Sequence, residues 1–141
     1  MPYDDLRKGR FSNPGQLYLV TTITSGRQPL FADLIVARCV IGEMRRLHDE
    51  GAVDSLAWVL MPDHLHWLFQ LGEDCVLGKV LQVFKGRSAR TINQRVGRHR
   101  GIWQRGYHDH ALRAEENVGA VAQYIAANPL RAKLVERLGK R

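Results

Sequence analysis

His64 and His66 stand one residue apart in the stretch AWVLMPDHLHWLF, residues 57–69. Pro62 and Asp63 interrupt this apolar and aromatic stretch. A tight turn fits there, because proline presets φ and aspartate bonds its own backbone. One strand ending near Met61 and another starting near His64 then form a hairpin. Side chains alternate along a strand, so both imidazoles face one way and Leu65, Trp67 and Phe69 the other. Two imidazoles backed by an apolar face make a pair of metal ligands, and a polar, solvated sheet face carries the same pattern.

Other chemistry-bearing residues lie downstream. His108 and His110 share a face, with Asp109 opposite, in IWQRGYHDHALR at 102–113. They could orient a site, bind phosphate or line a polar edge strand. Tyr124 and Asn128 are four apart on a predicted helix from Glu115 to about Ala127, so they share one side of it. They sit at the edge of its apolar stripe, Val118, Val121, Ala122 and Ile125, where half-buried packing is the plainer role for a tyrosine.

The elements that must position these residues follow from periodicity. QLYLVTTIT, Gln16 to Thr24, is β-branched and aromatic and predicts a strand. Ser25 to Leu30 predicts a loop. Asp33 can cap a helix running to about Glu50 and ending at Gly51, with Val36, Val40, Met44 and Leu47 buried and Arg38, Arg45 and Arg46 off that stripe. Residues 53–61 and 64–71 are the hairpin. Asp74 is the expected cap of a second helix, about Val76 to Arg95, stopping at Gly97, with Leu77, Val80, Leu81 and Phe84 as its apolar face. A short strand follows at about Tyr107–Leu112. Pro129 ends the last helix. Residues 1–15 read as a flexible arm and 130–141 as a basic tail, so the chain is expected to be one domain over 1–141. The order of elements predicts an α+β class: a single antiparallel sheet with helices on one face, ferredoxin-like or RRM-like, with the tyrosine-bearing helix at its C-terminal end.

Of the 141 residues, 45% are hydrophobic and 25% charged, which is ordinary for a globular protein, but the net charge is +7. That balance points to a polyanionic partner, most simply nucleic acid and less simply an anionic membrane surface. The second helix and its exit carry Lys79, Lys85, Arg87, Arg90, Arg95, Arg98 and Arg100 with no carboxylate among them. A one-signed run favours phosphate contact over mere solvation. Arg131 extends this charge into the tail. Trp103 and Tyr107 could stack on bases, or pack in the core. Cys39 and Cys75 match neither a zinc site nor a disulfide framework and are expected to be reduced thiols. No run is long and apolar enough to span a membrane, and the N-terminus lacks an apolar signal core. A cytoplasmic location without membrane contact is therefore expected.

If the last helix docks near the open sheet face, Tyr124 meets the histidines and Asn128 supplies a third ligand through its amide oxygen. A His-His-amide set with open positions suits Mg²⁺ or Mn²⁺; Zn²⁺ would prefer a tighter cage. A phenol beside a polarised phosphate could act as nucleophile and form a phosphotyrosine link that conserves the phosphodiester energy.

MPDHLHWLF resembles the His-hydrophobe-His (HUH) motif of single-tyrosine transposases, and QYIAANPLRAKLV their nucleophile-bearing helix followed by Asn-Pro. With WQRGYHDHALR between them and NPGQLYLVTTITSGRQPLF at the start, the chain resembles the REP-associated tyrosine transposases over roughly residues 12–135. Carried over by position, His64 and His66 would be metal ligands, Tyr124 the nucleophile and Asn128 the third ligand, where many relatives have Gln. The resemblance implies a single-stranded DNA substrate with a REP-like hairpin, a 5′-phosphotyrosine intermediate with a free 3′-OH, and either a monomer or a helix-exchanged homodimer. Two other readings stay open. A non-catalytic single-strand-binding module is one, although the aromatic cluster of RNA-binding sheets is missing. A water-using metal-dependent phosphohydrolase is the other, although Leu68 stands where a histidine-triad enzyme would want a third His.

Overall fold

The computed structural model describes residues 15–97 and 101–112. Its elements are β1 (Leu17–Ile23), two 3-10 turns (Ser25–Arg27 and Leu30–Ala32), α1 (Leu34–Asp49), β2 (Val53–Met61), β3 (His64–Leu71), α2 (Leu77–Val96) and β4 (His108–Ala111). The expected helix over 115–127, with Tyr124 and Asn128, lies outside the described residues, as do Arg98, Arg100 and Arg131.

The strands form one antiparallel sheet in the order β2-β3-β1-β4. Each helix follows a strand and crosses over a neighbour, α1 between β1 and β2 and α2 between β3 and β4. This is the split βαβ pairing of the ferredoxin-like fold. The predicted class and the hairpin's limits match the structure.

Alternation decides the layers. Tyr18, Val20, Leu65, Trp67, Phe69 and Leu71 are buried on one face. They join one core with Val36, Val40, Met44 and Leu47 of α1 and Leu77, Leu81 and Phe84 of α2. Trp67 lies at its centre, with ring centroids 4.6 Å from Phe69 and 5.3 Å from Phe84, and its indole N–H donates to Ser55 Oγ at 2.9 Å. Aromatic pairs in this range add stabilisation beyond their buried area. A smaller cluster, Val59, Leu68 and Leu112, is buried on the opposite face.

Local chemistry sets the ends. Asp33 caps α1, its Oδ1 accepting from the Ile35 N–H at 2.8 Å. Gly51 and Gly97 take positive φ, +82° and +69°, just past the two helices, as a helix stop prefers. Asp74 is not the cap expected of it: α2 starts after Val76 with no side-chain cap, and Asp74 itself turns the chain at φ +63°. The predicted loop after β1 winds into the two 3-10 turns.

α1 and α2 are tied by ions. Arg87 donates to Glu43 at 2.7 Å and to Glu50 at 3.0 Å, and Glu43 is only 5% exposed. Arg87, expected to face DNA, is thus committed inside the protein. Lys85 is likewise half-buried, donating to the carbonyls of Gln104 and Gly106. Burial pulls its ammonium below the usual value.

The Arg87 bond holds the Glu50 carboxyl below its ordinary range. A depressed carboxylate contributes stability that is complete above its unfolded pKa and fades as pH falls through the folded value. Separately, Arg87→Ala should cost about 3 kcal/mol at neutral pH, because the buried Glu43 would keep only Arg46, at 4.0 Å. It should also flatten the acid side of the stability profile, as read by urea midpoints across pH.

Candidate functional site: a histidine face on the open side of the sheet

His64 and His66 project from β3 away from the core. Their positions are dictated by pairing: Ile23 opposes His64 and Thr21 opposes His66 on β1, while Met61 and Val59 flank them on β2. The rings meet edge-on, with centroids 4.8 Å apart and planes at 78°.

Each ring is pinned through Nδ1. Asp63 Oδ1 lies 2.7 Å from Nδ1 of His64, and the Thr21 hydroxyl 2.9 Å from Nδ1 of His66. A carboxylate accepting from Nδ1–H directs the lone pair to Nε2, the arrangement that orients metal-binding imidazoles. Asp63 is itself held. Arg27 pairs with its other oxygen at 2.9 Å, and its backbone carbonyl accepts from the Thr24 N–H at 2.9 Å. The bond from His64, followed by the one from Arg27, keeps the Asp63 carboxyl below its usual range. Arg27 has a φ of +53°, a left-handed conformation costing a non-glycine residue about 1 kcal/mol. The ion pair to Asp63 helps to hold it there.

The second histidine pair joins the first. Leu19 opposes His110 and Thr21 opposes His108 across β1–β4. Partners in an antiparallel ladder share a face, so all of these imidazoles look outward on the same side, the His108 and His66 backbones being about 10 Å apart across β1. Asp109 opposes Val20 and faces the other way, as its alternation predicts. Among the described residues, no group of three or more His, Cys, Asp or Glu converges as a metal site. The donors at hand are two pinned imidazoles, which fit a divalent ion needing further oxygen ligands.

The expected DNA contacts sort into groups. Lys79, Arg90 and Arg95 are exposed on α2. Trp103 is not a free stacking platform: it packs against Phe31 at 5.3 Å and Phe84 at 5.5 Å, and its N–H donates to Ser88 Oγ at 3.0 Å. Cys39 and Cys75 are free thiols. No helix among the described residues is long and apolar enough to cross a membrane. Periodicity missed Thr21 and Arg27, whose roles depend on register and tertiary folding, and saw Asp63 only as a turn residue. The aspartate directly before the first histidine was the available signal.

The sequence profile of the family described as transposase IS200-like matches residues 15–128. A Haemophilus influenzae protein named as a REP-associated tyrosine transposase is 29% identical over 93 residues. That match covers 59% of this chain and 53% of the relative, so the similarity spans about half of that protein's length. The fold is similar to that of a REP-associated tyrosine transposase bound to a REP hairpin, at a TM-score of 0.69 and 20% identity, covering 90% of this chain and 74% of the other. It is also similar to a Deinococcus radiodurans protein described as a transposase, at 0.61 and 22%, covering 85% and 95%.

Asp63→Ala should cost about 1.5–3 kcal/mol, the range for a hydrogen bond to a charged group. It should also release the His64 ring: imidazole ¹⁵N shifts of His64 should move towards a mixture of tautomers while those of His66 stay in place.

Proposed function

Since the chain belongs to the IS200-like transposase family, we propose that it cuts and rejoins single-stranded DNA beside a hairpin, with Tyr124 as nucleophile and a divalent ion, Mg²⁺ or Mn²⁺, held by His64, His66 and Asn128. The observation that carries this reading is the adjacent pair of outward imidazoles, each with its Nδ1 engaged. The name of the Haemophilus relative and the REP hairpin in the complex of similar fold support the substrate class. The +7 charge suits a polyanion.

The histidine face also carries an apolar cluster. Val59 and Leu68 are fully buried there, on the side away from α1 and α2. The stripe Val118, Val121, Ala122 and Ile125 is a complementary surface by composition. A helix packed over that cluster through this stripe would carry Tyr124 to the histidines and Asn128 one turn further.

In the reaction, the Tyr124 oxygen attacks the scissile phosphorus, and the bond from phosphorus to the 3′ oxygen breaks. The phenolic proton is given up, the 3′ oxygen gains one, and a 5′-phosphotyrosine and a free 3′-OH result. A second 3′-OH attacking the same phosphorus rejoins the strand and restores the phenol. When bound, a divalent ion would supply charge stabilisation at the phosphate oxygens. Asp63 and Thr21 hold the imidazoles through Nδ1, which would leave Nε2 of each for the ion. A histidine-triad hydrolase is disfavoured, because the third position is Leu68, packed with Val59 and Leu112.

Incubation with hairpin-bearing single-stranded DNA and Mn²⁺ should give a covalent protein–DNA adduct on a denaturing gel. EDTA and Tyr124→Phe should each abolish it. His64→Ala should lower its rate at least a hundredfold. An undiminished adduct in Tyr124→Phe would assign the nucleophile elsewhere, and free cleaved DNA without adduct would favour water as nucleophile.

A further inference from the structure

A groove of about 390 Å³ runs between α1 and α2, on the side of the sheet away from the histidines. Its rim is Arg38, Gly42 and Arg46 from α1, spaced four apart on one helical face, and Thr91 and Arg95 from α2. The nearby carboxylates are already engaged. Glu43 takes Arg87 at 2.7 Å, and Glu50 takes both Arg87 at 3.0 Å and Arg46 at 3.2 Å. Arg38 and Arg95 have no hydrogen-bonding or ion-pair partner among the described residues, and both are exposed. Glu43 also lines the groove, its charge met by Arg87, and Cys39 beside it adds none, since burial pushes its thiol up.

Gly42 lies between Arg38 and Arg46 on the same face of α1. Glycine inside a helix costs about 1 kcal/mol relative to alanine. Packing does not require it, because a Cβ there would meet nothing within 4 Å among the described residues. Its effect is to leave the groove open between flanking arginines, where a side chain would project into it.

We infer that this groove is a phosphate-binding subsite that grips the DNA backbone away from the reacting phosphate, with Arg38 and Arg95 as its cations and Thr91 as a neutral donor. An acidic protein segment is the less favoured occupant, because the chain's other assigned features all address nucleic acid. The identity of the anion rests on the function proposed above. The subsite is a binding element and not part of the reaction centre, since the sheet separates it from His64 and His66.

The test is fluorescence anisotropy of the full chain with a labelled hairpin-bearing single strand over a range of KCl concentrations. Losing two phosphate contacts should lower the log–log salt slope by about 1.4 and weaken binding roughly twenty-five-fold at 0.1 M salt. Arg38→Ala/Arg95→Ala should show both effects, while the adduct rate at saturating DNA stays unchanged. Gly42→Leu should weaken binding without lowering the thermal midpoint, because it fills the groove and improves helix propensity. Arg45→Ala, which removes a charge from α1 outside the groove, should leave the slope at its wild-type value. Wild-type slope and affinity in both the double variant and Gly42→Leu would overturn the subsite while leaving the proposed reaction intact. A wild-type chain that binds no DNA at all would overturn both. A lower adduct rate at saturating DNA in the double variant would also overturn it, by placing these arginines in the reaction itself.

Discussion

The register of β3 is the constraint on which the rest of the structure depends. With Thr21 opposite His66 and Val20 opposite Trp67, every second side chain of β3 enters the core and the others face out. A slip of one residue would exchange the two sets, putting imidazoles into the apolar layer and Trp67 into solvent. The register is expensive to change because Leu65, Trp67, Phe69 and Leu71 are all essentially inaccessible. The same packing that stabilises the fold therefore aims the histidines.

The two-residue turn at Pro62–Asp63 joins this constraint to the chemistry. It closes the hairpin at the Met61–His64 pair and delivers a carboxylate to the ring of the next residue. The Thr24 backbone and Arg27 hold that turn from the segment that follows β1. The site is thus supported by the central strand pair of the sheet, and its second layer comes from a region that looks in sequence like an ordinary loop.

Much of this could be read from one sequence, for identifiable reasons. The limits of β2 and β3, the outward histidines, the Asp33 cap and the buried stripes of both helices follow from local periodicity and capping. The Asp74 cap failed because a capping residue type was present at the right distance while the backbone used that position for a left-handed turn. The basic run on α2 was visible, but its division was not: Arg87 and Lys85 are consumed by partners on α1 and in the loop before β4, which only tertiary contacts bring near. The meeting of His108 and His110 with the β3 pair on one face depends on β4 lying beside β1, a choice of neighbour that spacing alone does not encode.

The central claim is that the imidazoles of His64 and His66 share one divalent ion. Anomalous diffraction from crystals grown with Mn²⁺ tests it most directly. A single strong anomalous peak bonded to Nε2 of both residues is the predicted result. Manganese bound only at His108 and His110, or no ordered manganese on this face, would contradict it.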